Sequence, residues 1–144
     1  MRVTVNTIPE KAEESAVISI HSMTAGVRNA ISLLQDGDPT ITGIKDGETY
    51  PVSVYGIYYA ESVDDKSFIY TKNECYEVKY RLYELEGILD GRFIRISKSM
   101  ICNIRKIRSV KNAANSRMTA TLLNGETIVI SRGYVKDLKK RMGL

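Results

Sequence analysis

Two short polar stretches stand out for the chemistry their residues could do. Ser97-Lys98-Ser99 and Ser131-Arg132-Gly133 each set one long cation between small residues. A cation flanked this way can reach into a groove with little steric obstruction. Serine hydroxyls and backbone N–H groups beside it can hold phosphate oxygens, and arginine can form two hydrogen bonds to a guanine edge. Alone, such stretches are common on surface loops.

Catalysis would need acids, bases or nucleophiles that converge, and none do so here. Asp64-Asp65 lies in Ser-Val-Asp-Asp-Lys-Ser and reads as a solvated turn, and Glu13-Glu14 reads as a solvated face. His21 is the single histidine, which argues against a histidine-based zinc site or a Ser-His triad. Cys102 has no histidine nearby to activate it. Gly43, Gly47 and Gly91 are isolated turn glycines rather than a phosphate cradle. The expectation is a protein that is not an enzyme, with no cofactor, no metal and no small-molecule substrate.

Charge gives the polar stretches a context. Residues 1–90 hold 8 Lys+Arg against 15 Asp+Glu, a net of −7, whereas residues 91–144 hold 13 against 2, a net of +11. Clustered cations of this density suit a polyanion, because phosphate contacts release counterions. They could equally fold against the acidic half and neutralise it. The 144 residues suit one domain, or one domain with a small appendage, and can bury a core without disulfide or metal staples. No apolar run approaches the ~18 residues of a membrane helix, and Met1–Val5 lacks the apolar stretch of a secretory signal. Cys75 and Cys102, with no Cys-x-x-Cys spacing, read as reduced core residues of a cytoplasmic protein.

The elements that must position these residues are mostly strands. Val3 and Val5 alternate with polar residues over 2–8, and Val17–Ile20 forms a second strand pattern. Ser22 or Thr24 can cap a helix that places Val27, Ala30, Ile31 and Leu34 on one face. Gln35–Pro39 ends it. This predicts a β-β-α unit over residues 1–40. Beyond it, β-branched and aromatic runs predict strands over 51–55, 57–62 and 68–71, with a polar loop over 62–67. Tyr76, Val78, Tyr80 and Leu82 alternate as a half-buried strand. Leu82, Leu85 and Leu89 then take helical spacing to about Asp90-Gly91. Residues 93–96, 100–102 and 118–122 are strand-like, and Ile104, Ile107 and Val110 follow one another at a spacing of three. Asn124-Gly125 signals a tight hairpin. Tyr134, Val135, Leu138 and Met142 mark a terminal amphipathic helix.

Four of these segments resemble one family. Phe93-Ile94-Arg95-Ile96-Ser97-Lys98-Ser99-Met100-Ile101-Cys102-Asn103-Ile104 is similar to the F-x-R-I-H-R-S-x-I-V-N-L signature of LytTR DNA-binding domains. Leu123–Tyr134 resembles L-x-N-G-E-x-I-x-V-S-R-R-Y. Ile57–Asp64 resembles I-x-Y-I-E-S-x-D, and Tyr83–Leu89 resembles K-E-L-E-x-L-L. The match runs in order over residues 42–144.

The resemblance implies a mainly β domain with minor α over residues 41–144, antiparallel and of about ten strands with one short helix. It also implies a sequence-specific bacterial transcriptional regulator that binds double-stranded DNA through loops entering successive grooves. Carried over, the first loop position is near Lys66, the second is Lys98 with Ser97 and Ser99, and the third is Arg132. Asn103 matches too, either as a buried hydrogen-bonding residue or as a DNA contact. Two departures stand out: Ser97 replaces the usual histidine, and Gly133 replaces the usual second arginine. Residues 1–40 are too few for a receiver domain, as in receiver-less regulators often encoded beside a small membrane protein. That unit is expected to dimerise the chain, to lie as a lid on the β domain, or to sense a partner. The competing expectation is an interaction protein whose basic face meets an acidic partner or an anionic membrane. An RNA-binding reading would want exposed aromatics for stacking, and residues 91–144 offer only Phe93 and Tyr134.

Overall fold

The computed structural model describes residues 1–89 and 91–144. The chain divides into two compact units, Met1–Gly37 and Asp38–Leu144. In the first unit the expected helix forms as α1, Ala25–Asp36. Thr24 caps it by accepting a hydrogen bond from the Val27 N–H at 3.2 Å, and Gly37 follows it at a φ of 77°. The two strands expected over 2–8 and 17–20 do not form. Each offers only two apolar residues to one face, and a two-stranded ribbon without a third strand or a covering helix is marginal in water. The β-β-α expectation is therefore corrected to one capped helix preceded by irregular chain.

Among the described residues the second unit carries ten strands, β1 Thr40–Lys45, β2 Glu48–Ser53, β3 Tyr59–Val63, β4 Lys66–Tyr70, β5 Cys75–Val78, β6 Phe93–Ser97, β7 Met100–Asn103, β8 Ile107–Asn112, β9 Met118–Leu122 and β10 Thr127–Ile130. All pair antiparallel, in a seven-stranded sheet ordered β2-β1-β5-β4-β3-β7-β6 and a three-stranded sheet ordered β10-β9-β8. Two helices complete the unit, α2 Leu82–Ile88 and α3 Val135–Met142.

Strand alternation gives the large sheet two apolar faces. Ala60, Ile69, Phe93 and Ile101 face one core with Leu82 and Leu85 of α2. Tyr59, Ile94, Ile96 and Cys102 face a second core with Met118, Leu122, Ile130 and Leu138. Burying each aliphatic side chain of this kind contributes roughly 1.5–3 kcal/mol. The large sheet is thus covered by α2 on one side and by the small sheet with α3 on the other.

Several local expectations need adjusting. The strand read over 76–82 stops at Val78, since Leu82 and Leu85 are buried at helical spacing and the Glu84 carboxylate accepts the Arg81 N–H at 3.1 Å. α2 ends at Ile88, and the expected extension to Asp90 lies outside the described residues. The spacing of three from Ile104 reflects a 3-10 turn at Ile104–Lys106 that leads into β8. Gly43 is not a turn glycine. It lies inside β1, where a Cβ would come within 2.7 Å of the Tyr76 Cβ, so only glycine lets that ring pack. Cys102 is buried as expected, but Cys75 is exposed at the start of β5. Among the described residues, no helix is long and apolar enough to cross a membrane.

Candidate nucleic-acid interface

Register decides which loops share an end of the sheet. Asp64 and Asp65 form a two-residue turn between β3 and β4, both with left-handed backbone at φ 50° and 62°. The expected polar loop over 62–67 is therefore only this tight turn, a conformation that aspartate tolerates better than most residues. Lys66 becomes the first residue of β4. It is exposed, with its ammonium 3.6 Å from the Glu77 carboxylate on β5.

Glu61 of β3 faces Met100 of β7, and the Ser62 N–H donates to the Ser99 carbonyl at 2.8 Å. The Lys98-Ser99 turn therefore lies beside the Asp64-Asp65 turn. After β10, the Ser131 N–H donates to the Ile96 carbonyl near the end of β6 at 2.9 Å. That bond sets Arg132 beside the Lys98 turn. Residues 66, 98 and 132, far apart in the chain, thus form a row along one end of the sheet. At about 5 Å per strand spacing, the row runs for roughly 20 Å. Lys98 and Arg132 are exposed and have no acidic partner among the described residues.

The serines around Lys98 build the turn. The Ser97 hydroxyl accepts the Ser99 N–H at 3.2 Å and lies 3.4 Å from the Ser99 hydroxyl. This is the local side-chain-to-backbone bond that serine favours in turns. A residue that the sequence reading left in the strand adds more. Arg95 donates from Nε to the Ser97 carbonyl at 2.8 Å, from Nη2 to the Lys98 carbonyl, and from Nη1 to Glu86 on α2 at 2.6 Å. One guanidinium thereby ties the turn to the helix. Its signal in the sequence is slight, because an arginine in Phe-Ile-Arg-Ile reads as an ordinary outward strand residue.

Asn103 is not part of the exposed row. It is 1% exposed, its amide donates to the Ile57 carbonyl at 2.9 Å, and its Oδ1 accepts the Arg105 N–H at 3.0 Å. A side chain buried and occupied at both ends holds the backbone after β7 rather than reaching a ligand, which corrects the DNA-contact reading of this residue. Lys79 and Arg81 belong to the acidic half of the sequence. They line a shallow cavity of about 280 Å³ with Asp65, Lys66 and Glu77, at the same end of the sheet.

The opposite end is built to hold the two sheets together. The Tyr59 hydroxyl donates to Glu126 at 2.8 Å, and the Tyr59 ring stacks on Tyr70 at 4.4 Å. Burial is the main cause that pushes both phenols up, Tyr70 to about 12. Asn124 at the β9–β10 turn donates to the Lys72 carbonyl at 3.4 Å.

Comparison with known proteins bears on the family and the fold. Residues 47–143 match the family described as the LytTr DNA-binding domain. The chain is 31% identical over 136 residues to a protein named an uncharacterized HTH-type transcriptional regulator of Staphylococcus aureus (strain NCTC 8325 / PS 47), with 92% of each chain covered. A counterpart of the same description from Staphylococcus aureus (strain bovine RF122/ET3-1) is 30% identical over the same length. A solved LytTr DNA-binding domain from Bacillus cereus superposes with a TM-score of 0.71 at 27% identity, covering 75% of this chain and 100% of that one. Despite the relatives' naming, strands separate α1, α2 and α3 among the described residues. By the span of the family match and the agreement of fold, the chain belongs to the LytTr DNA-binding domain family.

Proposed function

We propose that this DNA-binding transcription regulator reads its operator with the row of turns at one end of the large sheet. The observation that carries the reading is the convergence of Lys66, Lys98 and Arg132 through the β3–β7 register and the Ser131–Ile96 hydrogen bond. In this reading Arg132 contacts a base edge, and its guanidinium can make two hydrogen bonds to guanine. Lys98 neutralises phosphate or meets groove acceptors, with the Ser99 hydroxyl beside it, while Ser97 holds the turn. Lys66 is the weakest member, because Glu77 competes for its charge. Arg95 positions the turn between β6 and β7, while Asn103 holds the backbone after β7. A row of roughly 20 Å is shorter than one helical turn of about 34 Å, so one chain covers one half-site. A second copy then extends the footprint and multiplies affinity through effective concentration.

The dimer is assigned to the first unit. α1 carries Val27, Ile31 and Leu34 at helical spacing and buries no residue. Binding to DNA implies a cytoplasmic location. An acidic protein or an anionic membrane would also attract the basic face, but neither requires Lys66, Lys98 and Arg132 to stand in a row.

Footprinting of the purified chain on DNA upstream of its own gene tests the reading. Two protected segments about one helical turn apart, surviving ~150–200 mM salt, are expected. Diffuse protection abolished by that salt would contradict sequence reading. A single protected segment would contradict the dimer.

A further inference from the structure

The strand register brings one more cation to Arg132. Met118 opens β9 opposite Ile130, the last residue of β10. Arg117 and Ser131 are the residues that immediately flank this last pair, one beside each strand. Arg117 closes the turn between β8 and β9. Its N–H donates to the Ala114 carbonyl at 3.3 Å, and its own carbonyl accepts the Ala113 N–H at 2.9 Å. Asn115 and Ser116 at the tip both adopt left-handed backbone at φ 60°. Asparagine takes that conformation readily, but serine does so rarely.

The charge at this tip is not neutralised. Residues 91–125 contain no acidic residue, and Glu126, the first to follow, is held by Tyr59 and Asn124 at the other end of the small sheet. Arg117 is exposed and enters no ion pair among the described residues. Its Nε donates to the Ala114 carbonyl at 3.3 Å, which folds the side chain over the tip. A guanidinium anchored in this way presents its terminal N–H groups at the surface instead of extending into a groove. That geometry suits a phosphate better than a base edge.

We propose that the Asn115–Arg117 tip is a fourth duplex contact, in which Arg117 holds a backbone phosphate beside the step read by Arg132. The inference rests on the reading of the row as a DNA interface. It extends that interface onto the small sheet, beyond the three loop positions.

The test is the salt dependence of binding to a duplex that the wild-type chain selects from a random-sequence pool. Four proteins are compared: wild type, Arg117→Ala, Arg117→Lys and Ser116→Gly. Loss of one phosphate contact lowers the slope of log affinity against log salt by about 0.9. Arg117→Ala is expected to lose about that much slope and to bind several-fold more weakly, with base preferences unchanged. Arg117→Lys is expected to keep the slope. Ser116→Gly relieves the left-handed serine and keeps the cation, so it should bind as wild type and melt higher. An unchanged slope in Arg117→Ala, while Arg132→Ala still weakens binding, overturns the fourth contact alone. Altered preference at one base pair in Arg117→Ala overturns the phosphate assignment. A wild-type chain that selects no sequence overturns the DNA-reading row, and this contact with it.

Discussion

The backbone N–H of Ser131 donates to the carbonyl of Ile96 at 2.9 Å, and this bond joins the segments that carry Lys98 and Arg132. Ile96 precedes the turn that carries Lys98, and Ser131 precedes Arg132. The small sheet therefore does more than cover the large one. It delivers Arg132 to the end of β6, and the two cations become one surface.

Arg95 is expected to matter for binding more than for folding. It spends three donors on Glu86 and on the Ser97 and Lys98 carbonyls. Arg95→Ala frees a turn that solvent can still satisfy, so a stability loss of only about 1 kcal/mol is expected. Affinity for a specific duplex should fall roughly tenfold, the equivalent of about 1.4 kcal/mol. Glu86→Gln should lower affinity in the same direction by less, because Glu86 touches Arg95 and not the turn. Titration of both variants on one duplex, beside denaturant melts, checks the ordering. A larger effect from Glu86→Gln would contradict it.

Asn103 should behave in the opposite way. Asn103→Ala leaves the buried Ile57 carbonyl and the Arg105 N–H without their partner. Such a loss costs about 1–3 kcal/mol for each buried group stranded. Urea denaturation should show a lower midpoint with the slope unchanged. The fraction that remains folded should bind DNA within about twofold of wild type, since no Asn103 atom is exposed enough to reach a phosphate.

Tyr59→Phe serves as a control at the far end. It removes the hydrogen bond to Glu126 but keeps the stacked ring. A destabilisation of about 1 kcal/mol is expected, with no change in salt slope or base preference. An altered slope would mean that the far end also meets the duplex.

Cys102 makes the stability of the fold sensitive to alkaline pH. Burial pushes its thiol up to about 12 from the usual 9.0. The unfolded chain releases this proton near pH 9 while the folded chain keeps it. The stability contribution is therefore full below pH 9 and is lost as pH rises toward 12. Tyr70, raised from 10.0 to about 12, acts in the same direction from pH 10 upward. The melting temperature should hold up to about pH 9 and decline above it, and Cys102→Ala should flatten the first part of that decline. A thiol reagent should label Cys75 in the folded chain and reach Cys102 only after denaturation.

Much of this architecture was legible in local patterns. Leu82, Leu85 and Leu89 located α2, alternation located β9, and Asn124-Gly125 located the β9–β10 turn, where Gly125 takes a φ of 91°. The four family motifs carried the fold class and the candidate row. Whatever depends on distant register was hidden. Nothing in Ser131 or Ile96 as residues announces that they meet. Arg95 looked like a surface strand residue, because its partner Glu86 lies on another element. Asn103 stood open between two roles until burial separated them. Val3, Val5, Ile18 and Ile20 misled in the other direction. They alternate as strands do, but alternation describes a face and supplies no partner to pair with.

The most direct measurement on the central claim is duplex selection by the wild-type chain and by Arg132→Ala, followed by affinity at each position of the selected site. If Arg132 reads a base edge, Arg132→Ala should lose preference at one base pair per half-site, about 1–3 kcal/mol, and keep it elsewhere. Uniform weakening across all sequences, with the preference profile intact, would contradict base reading by this residue and leave the row as a phosphate clamp.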